Sequence, residues 1–233
     1  MLLEIKDLEA GYNKNKVLNG LSLSLDTGEI VAILGHNGAG KTTTLKTILG
    51  LIPSTRGKTI FKGKEMTRYR PAELVKQGMV LVLQEKSIFT DLTTEENLEA
   101  ASHIIEDRSD IQKRMEMAHD LFPILKTRSK QRAGSLSGGE QRMLAIGMGL
   151  ILQPALLMLD EPSVGLAPVM VQKVMDTVRE INSRLDTAIL LVEQNVREAL
   201  TIASRAYIIK SGQVILERAS SELLKMKNLW HLL

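Results

Sequence analysis

Apolar and polar positions divide the chain into segments of two main kinds. The first thirty residues alternate between apolar and polar side chains, which predicts antiparallel strands with one face in solvent. Later runs are apolar throughout, as expected for strands that are buried on both faces of a sheet. These apolar runs span residues 29–35, 78–84, 155–161 and 188–193.

Segments with helical character separate the apolar runs. Residues 93–132 are charged and helix-prone, and the threonine and glutamates at their start are typical of a helix N-terminus. Glycines suggest one hairpin within residues 52–70 and another within residues 205–217. Further helices are predicted over residues 42–51, 138–152, 168–182 and 195–204.

The order of these segments predicts the fold class. Strands that alternate with helices favour a mostly parallel sheet. We therefore predict an α/β protein with a mostly parallel sheet core, an antiparallel N-terminal β subdomain and a helical subdomain. We expect a single domain over residues 1–233, with a core formed by about 1–84 and 153–233 and a helical subdomain over about 85–152.

Composition and charge limit the classes of site and of cellular location that the chain can have. The 30 basic and 27 acidic residues leave a net charge of +3, which is too balanced to indicate a nucleic-acid partner, although a pI near 9.0 leaves one open. The absence of cysteine excludes disulfides, cysteine–zinc sites and thiol nucleophiles. No apolar run approaches the roughly 18 residues of a membrane span, and Glu4, Lys6 and Asp7 argue against a signal peptide. We therefore expect a soluble, cytoplasmic protein whose membrane role depends on a partner.

Residues 35–42 read GHNGAGKT and match the phosphate-binding motif G-x-x-x-x-G-K-[ST] in full. The motif lies between a predicted strand and a predicted helix, which indicates a P-loop NTPase. Lys41 supplies a charge for the β- and γ-phosphates, Thr42 offers a hydroxyl to Mg²⁺, and His36 is expected to face solvent. The residues expected to bind the nucleotide are Gly35, His36, Asn37, Gly38, Ala39, Gly40, Lys41, Thr42 and Thr43.

Two carboxylates end the apolar run at residues 155–161. Unpaired buried charges are costly, but the carboxyl end of a parallel strand beside a phosphate loop offers them a cation and water. We expect Asp160 to hold Mg²⁺, directly or through water. Glu161 is one residue further on, where it is suited to orient or deprotonate the attacking water.

Residues 136–141 read LSGGEQ, and here the sequence resembles the ATP-binding cassette (ABC) ATPase family. The resemblance covers essentially the whole chain. Its motifs occur in the order of the family: Tyr12, GHNGAGKT, Gln84, LSGGEQ, LLMLDEP and VEQN.

The resemblance implies that two cassettes enclose two ATP molecules head to tail, in a homodimer or in a heterodimer with a related subunit. Ser137, Gly138 and Gly139 would then meet the γ-phosphate held by the phosphate loop of the partner. Tyr12 would stack on adenine, and Gln84 would ligate Mg²⁺ and touch water. The expected catalytic residues are Glu161, Gln194, Gln84 and Lys41, and the expected metal ligands are Thr42, Gln84 and Asp160.

Residues 163–168, SVGLAP, resemble the ATPase subunits of importers for branched-chain or other hydrophobic amino acids. The implied partners are membrane permease subunits and, indirectly, a solute-binding protein, so the chain would lie on the inner face of the cell membrane. Importers of urea or short amides and exporters of lipids or drugs remain alternatives. A soluble nucleic-acid-associated ABC ATPase is less favoured, because such proteins usually carry two cassettes or a long insertion.

Gln194 occupies a position where most ABC ATPases have histidine. Glutamine donates hydrogen bonds but carries neither a proton for transfer nor a positive charge, so we expect hydrolysis to be supported at a lower rate. We expect Gln194 to reach the γ-phosphate beside residues 35–42 and Glu161, closing the site from the far side of the sheet. Elsewhere, Gly147 and Gly149 weaken their predicted helix and suggest close packing, and His119 is expected at the surface.

Overall fold

The structure is a computed structural model that describes residues 1–13, 15–85, 87–105, 107–226 and 229. Its strands form two sheets. The strands are β1 (Leu3–Tyr12), β2 (Asn15–Leu25), β3 (Ile30–Leu34), β4 (Ser54–Phe61), β5 (Lys64–Glu65), β6 (Met79–Val82), β7 (Leu156–Asp160), β8 (Ala188–Val192), β9 (Arg205–Lys210) and β10 (Gln213–Ala219).

The helices alternate with the strands of the second half of the chain and form a block between β6 and β7. Two short 3-10 helices, Ser102–Ile104 and Ala133–Ser135, lie within that block. The α-helices are α1 (Lys41–Ile48), α2 (Pro71–Lys76), α3 (Thr94–Ala101), α4 (Arg108–Leu121), α5 (Pro123–Thr127), α6 (Gly138–Ile151), α7 (Pro168–Leu185), α8 (Val196–Ile202) and α9 (Ser220–Leu223).

The smaller sheet is antiparallel and has the strand order β2-β1-β4-β5. A turn at Lys62 and Gly63, both with positive φ, joins β4 to β5, because a two-residue hairpin turn favours this backbone conformation. The predicted antiparallel N-terminal strands and the predicted hairpin within residues 52–70 are therefore confirmed.

The larger sheet has the order β10-β9-β3-β8-β7-β6. All neighbouring pairs are parallel except β9 and β10, which form the predicted C-terminal hairpin. Every residue of β3, β7 and β8 is buried, as the uninterrupted apolar runs predict. The predicted α/β class with a mostly parallel core and an antiparallel N-terminal part is confirmed.

The larger sheet separates two apolar layers. One layer packs it against the antiparallel sheet and α1, with Leu45, Phe61 and Leu190 fully buried. The other layer packs it against α6, α7 and α8 and includes Leu144 and Val178. This arrangement places the carboxyl ends of β3, β8 and β7 side by side at one edge of the sheet, and the polar segments that follow these strands meet there.

Gly147 and Gly149 lie where α6 approaches its neighbours most closely. A Cβ at Gly149 would lie 3.3 Å from side-chain atoms of Val80 and Val82 on β6. A Cβ at Gly147 would lie 3.1 Å from Leu125 on α5. The expectation of close packing is confirmed, and it explains why two poor helix formers occur in the middle of a helix.

The expectation for His119 is wrong in part. The residue is half-buried on α4, and its Nε2 is buried with no hydrogen-bond partner among the described residues. Burial lowers the pKa of His119, because it disfavours the charged imidazolium. Its helix packs against α6, which the sequence of α4 alone did not indicate.

No helix in the part of the chain that the structure describes combines the length and the apolar character needed to cross a bilayer. The helices between β6 and β7 contact one another, chiefly through α6. The division into a core and a helical subdomain near residues 85 and 152 stays a prediction.

Candidate active site

The phosphate-binding motif forms the turn between β3 and α1. Gly40 caps α1 with a φ of 106°, a conformation that side chains with a Cβ rarely adopt. At Gly35 a Cβ would lie 2.3 Å from the backbone oxygen of Ile209 on β9. The loop is therefore held tightly against the sheet, and its backbone lies at the start of a helix, where anions bind favourably.

Lys41 is the first residue of α1, and its ammonium is buried over the loop. Its Nζ donates hydrogen bonds to the backbone oxygens of Gly35 at 2.9 Å and His36 at 3.3 Å. The same Nζ lies 3.4 Å from Oε1 of Glu161. The side chain of His36 is exposed, as expected. Lys41 thus connects the phosphate loop to the carboxylate that follows β7.

Thr42 and Asp160 meet between α1 and the end of β7. The hydroxyl of Thr42 donates to Oδ1 of Asp160 at 2.9 Å. Burial raises the pKa of Asp160, an effect that the hydrogen bond from Thr42 opposes and the nearby charge of Glu161 adds to. A buried carboxylate of this kind is stabilised by a nearby cation.

Glu161 begins the turn after β7 in a strained conformation. Its φ is 48°, in the left-handed region, which costs a residue with a Cβ about 1–3 kcal/mol. The backbone N–H of Glu161 donates to the oxygen of Val192 at 2.9 Å, which holds this turn beside β8. Such strain is often found at functional sites, and the carboxylate of Glu161 lies next to Lys41.

Gln194 follows β8 and lies beside the phosphate loop and Glu161, as expected, but its direction of approach differs from the expectation. Because β8 lies between β3 and β7, Gln194 enters between the phosphate loop and Glu161, not from the far side of the sheet. Its Nε2 donates to Oε2 of Glu161 at 2.7 Å. Strand order, which local sequence patterns do not encode, is the reason for the difference.

These side chains line one cavity of about 520 Å³. The residues that line it are Val17, Asn37, Gly38, Gly40, Lys41, Thr42, Thr43, Gln84, Glu161 and Gln194. The structure therefore brings together most of the predicted phosphate-loop, metal and catalytic residues. Asp160 lies behind Thr42, to which it is hydrogen-bonded.

Tyr12 is not among the residues that line this cavity in the described part of the chain. It ends β1, pairs with Asn15 and is 47% exposed. Val17 on the adjacent strand lines the cavity instead, and sequence reasoning missed it. An apolar residue in a strand of alternating apolar and polar positions gives no indication in the sequence that it lines a cavity.

Gln84 follows β6 and lines two cavities, the one at the phosphate loop and a second of about 340 Å³. Arg142 on α6 holds this segment in place, a contact that sequence reasoning also missed. It donates to the backbone oxygens of Leu83 at 3.0 Å and of Gln84 at 2.8 Å. Burial lowers the pKa of Arg142, and the charges of Glu193 and Asp160 oppose that shift.

The LSGGEQ segment lies apart from the phosphate loop of its own chain. Ser137 caps α6, accepting a hydrogen bond from the N–H of Glu140 at 3.4 Å, and the carboxylate of Glu140 accepts from the N–H of Ser137 at 2.8 Å. Gly138 lines the second cavity and Gly139 is buried. None of Ser137, Gly138 and Gly139 is among the described residues that line the first cavity.

Known proteins resemble the chain over almost its full length. It is 38% identical over 223 residues to the high-affinity branched-chain amino acid transport ATP-binding protein BraG of Pseudomonas aeruginosa, covering 96% of this chain and 95% of BraG. It is also 38% identical over 225 residues to the probable branched-chain amino acid transport ATP-binding protein LivF of Archaeoglobus fulgidus, covering 97% of this chain and 94% of LivF. Identity to the lipopolysaccharide export system ATP-binding protein LptB of Haemophilus influenzae is 35% over 219 residues, or 92% of this chain and 89% of LptB.

The fold agrees with solved structures. A crystal structure of a nucleotide-free ATP-binding cassette from an ABC transporter matches with a TM-score of 0.89 and 24% identity, over 99% of this chain and 98% of that one. Residues 18–164, more than half of the chain, match the family model described as ABC transporter. The chain therefore belongs to the ABC transporter family, as one of its ATP-binding proteins.

Proposed function

We propose that this chain is the ATP-hydrolysing subunit of an ABC importer for branched-chain or other hydrophobic amino acids. One observation carries the catalytic part of the proposal: a single cavity is lined by the phosphate loop, Lys41, Gln84, Glu161 and Gln194. These groups supply phosphate binding, water positioning and a base within reach of one another. The proposed solute comes from the relatives BraG and LivF.

The site fits Mg²⁺ as well as ATP. The Thr42 hydroxyl, the Asp160 carboxylate and the Gln84 amide are oxygen ligands of the kind that Mg²⁺ prefers. The described residues contain no group of three or more acidic, histidine or cysteine side chains able to hold a metal by themselves. We propose that Thr42, Asp160 and Gln84 would hold Mg²⁺ together with the phosphates, and that the ion would supply positive charge next to them.

The chain's own residues have separate roles in the proposed reaction. The loop N–H groups and Lys41 hold the β- and γ-phosphates, and Glu161 accepts the proton of the attacking water. The side-chain amide of Gln194 carries two N–H donors, and Glu161 accepts one of them at 2.7 Å. The second donor is available to the γ-phosphate, so Gln194 orients the base and the phosphate at once.

A second copy of the chain, or a related subunit, completes the proposed site. Ser137, Gly138 and Gly139 lie at the start of α6, outside the phosphate-loop cavity of their own chain. A helix start with a serine hydroxyl and glycine N–H groups binds an anion, so these residues would contact the γ-phosphate of the partner. Tyr12 is proposed to stack on the adenine, since its side chain is exposed next to the strand that carries Val17.

Transport requires partners beyond the dimer. We propose that permease subunits bind the cassette, that a solute-binding protein acts through them, and that the chain lies on the cytoplasmic face of the cell membrane. No nucleic-acid partner is proposed. The relative LptB favours one second candidate, an export ATPase, although its 35% identity is lower than that of BraG and LivF.

Co-purification separates the two candidate transport functions. A tagged chain isolated from its own organism in mild detergent is expected to retain permease subunits, identified by mass spectrometry. Vesicles containing this complex are expected to hydrolyse ATP faster when a solute-binding protein loaded with leucine or valine is added. Retention of lipopolysaccharide export components, with no response to amino acids, would favour export.

Substitution of Gln194 tests the role of the amide. Gln194→Ala removes the donor to Glu161 and the second donor, so ATP turnover is expected to fall about tenfold or more. Gln194→His keeps one donor and is expected to retain more activity than the alanine variant. Steady-state phosphate release measures both effects, with ATP affinity as the control. If Gln194→Ala hydrolyses ATP at the wild-type rate, Gln194 has no part in the reaction.

A further inference from the structure

Glu193 is a carboxylate with no exposed surface at the end of β8, next to Gln194. It accepts hydrogen bonds from the N–H and the hydroxyl of Ser163, each at 2.8 Å. It also accepts from the backbone N–H groups of Gln194 at 3.1 Å and Asn195 at 3.4 Å. A buried carboxylate with several donors is well satisfied, so Glu193 stabilises two separate segments at once.

The contacts of Glu193 complete a ring of connected residues: Glu161, Ser163, Glu193 and Gln194. The proposed base, Glu161, is one member of this ring. Ser163 belongs to the turn that begins at Glu161, and Gln194 begins the segment after β8. The side chain of Gln194 returns to Oε2 of Glu161 at 2.7 Å. The position of Glu161 is thus linked to that of Gln194 by its own hydrogen bond and also through Ser163 and Glu193.

The ring requires a carboxylate at position 193. Its four contacts are all N–H or O–H donors, and an ionised carboxylate accepts at both oxygens without carrying a donor of its own. Burial raises the pKa of Glu193, and the hydrogen bonds from Ser163 oppose that shift. Three of the four donors contact Oε2, and the N–H of Ser163 contacts Oε1. A glutamine of the same size has one acceptor oxygen, so its NH2 group would face at least one of these donors. The substitution therefore removes the charge and one acceptor while it keeps the volume.

We propose that Glu193 is a positioning residue that couples the turn of residues 163–168 to Gln194 and through it to Glu161. The inference rests on the proposed ATPase function and extends it. The turn follows the base directly and its Leu166 lies close to Gly138 at the start of α6. Because Glu193 binds Ser163 and the backbone of Gln194, it holds this turn and the segment of Gln194 in a fixed relative position.

The central experiment compares Glu193→Gln with wild type over a range of ATP concentrations. The expected result is a kcat lower by about 10- to 100-fold with an unchanged KM and unchanged ATP affinity, because the phosphate loop is not altered. Thr187→Val is the matched control: Thr187 is buried at the opposite end of β8 and donates one hydrogen bond, to Pro154 at 3.0 Å. Loss of this hydrogen bond is expected to lower the stability of the protein without changing any contact of Glu193. The kcat of Thr187→Val is therefore expected to stay at the wild-type value.

A double-substitution cycle distinguishes positioning from general destabilisation. Ser163→Ala removes the hydroxyl that donates to Oε2 of Glu193. It is expected to lower kcat in the wild-type background and to have a smaller effect in Glu193→Gln, because the effects of residues in direct contact are not additive. A wild-type kcat for Glu193→Gln, an equal loss in Thr187→Val, or an equal effect of Ser163→Ala in both backgrounds would overturn the proposal. If Glu193→Gln does not fold, the kcat of Ser163→Ala is compared with that of Thr187→Val. A lower kcat in Ser163→Ala supports the proposal, and equal values contradict it.

The controls also separate this inference from the proposed function. If wild type hydrolyses ATP and the Glu193 and Ser163 variants match it, only the positioning role fails. If wild type with Mg-ATP releases no phosphate, the ATPase proposal fails, and the positioning role fails with it.

Discussion

Replacement of Glu161 by glutamine is expected to slow ATP hydrolysis by about 10²- to 10⁴-fold, since the amide cannot accept the proton of the attacking water. Glutamine keeps the size of the side chain and an oxygen for the hydrogen bond that Gln194 donates. ATP binding is therefore expected to persist. The variant should accumulate with ATP bound as a dimer, measured by sedimentation velocity with and without Mg-ATP.

Glu180→Gln is the matched control for this substitution. Glu180 is exposed on α7, forms an ion pair with Arg184 at 2.9 Å and is not among the residues that line the phosphate-loop cavity. The same substitution of glutamate by glutamine at this position is expected to leave ATP turnover unaltered, because exposed ion pairs contribute little to protein stability. Turnover by Glu161→Gln at the rate of Glu180→Gln would show that Glu161 is not the base.

Replacement of Lys41 by methionine is expected to lower ATP turnover by about 10²- to 10³-fold and to weaken ATP binding. The buried ammonium donates to two carbonyl oxygens of the loop and lies 3.4 Å from Glu161, so its removal affects phosphate binding and the base together. Methionine retains most of the apolar stem. Equilibrium binding of a fluorescent ATP analogue and phosphate release measure the two effects.

Lys76→Met controls for the loss of a positive charge. Lys76 is exposed at the end of α2, and its substitution is expected to change neither ATP binding nor turnover. If Lys41→Met binds and hydrolyses ATP as Lys76→Met does, the phosphate loop described above is not the nucleotide site.

Much of the fold was predictable because its signals are local. Uninterrupted apolar runs identified the buried strands β3, β6, β7 and β8, and alternation identified the antiparallel strands β1 and β2. The order of strands in the larger sheet was not predictable in the same way, since it depends on contacts between distant segments. This explains the wrong expectation that Gln194 enters from the far side of the sheet.

The candidate site likewise has parts that were predictable from local sequence motifs and parts that depend on contacts between distant residues. The phosphate loop and the two carboxylates after β7 are contiguous motifs, and the structure brings the loop, Glu161 and Gln194 to one cavity. Arg142 was missed because its partners are backbone carbonyl oxygens, which every residue has and which no sequence pattern marks. These partners lie 58 and 59 residues away along the chain. Glu193 was visible as a polar residue ending an apolar strand, and Ser163 as the first residue of SVGLAP. Their contact was not predictable, because the two residues are 30 positions apart.

Membership of the ABC transporter family was predictable from the LSGGEQ segment together with the other motifs, and the comparisons confirm it. The proposed solute depends on the resemblance to BraG and LivF, since no cavity described here is expected to contact it. The proposed catalytic roles are supported instead by the positions of the residues around one cavity, and they can be tested on the purified chain alone.

Steady-state phosphate release by the purified wild-type chain with Mg-ATP, measured beside Glu161→Gln, tests the central claim most directly. We predict multiple turnovers by wild type and a rate about 10²- to 10⁴-fold lower for the variant at equal nucleotide binding. Absence of hydrolysis by a folded, ATP-binding wild type, or equal rates for the two proteins, would contradict the account.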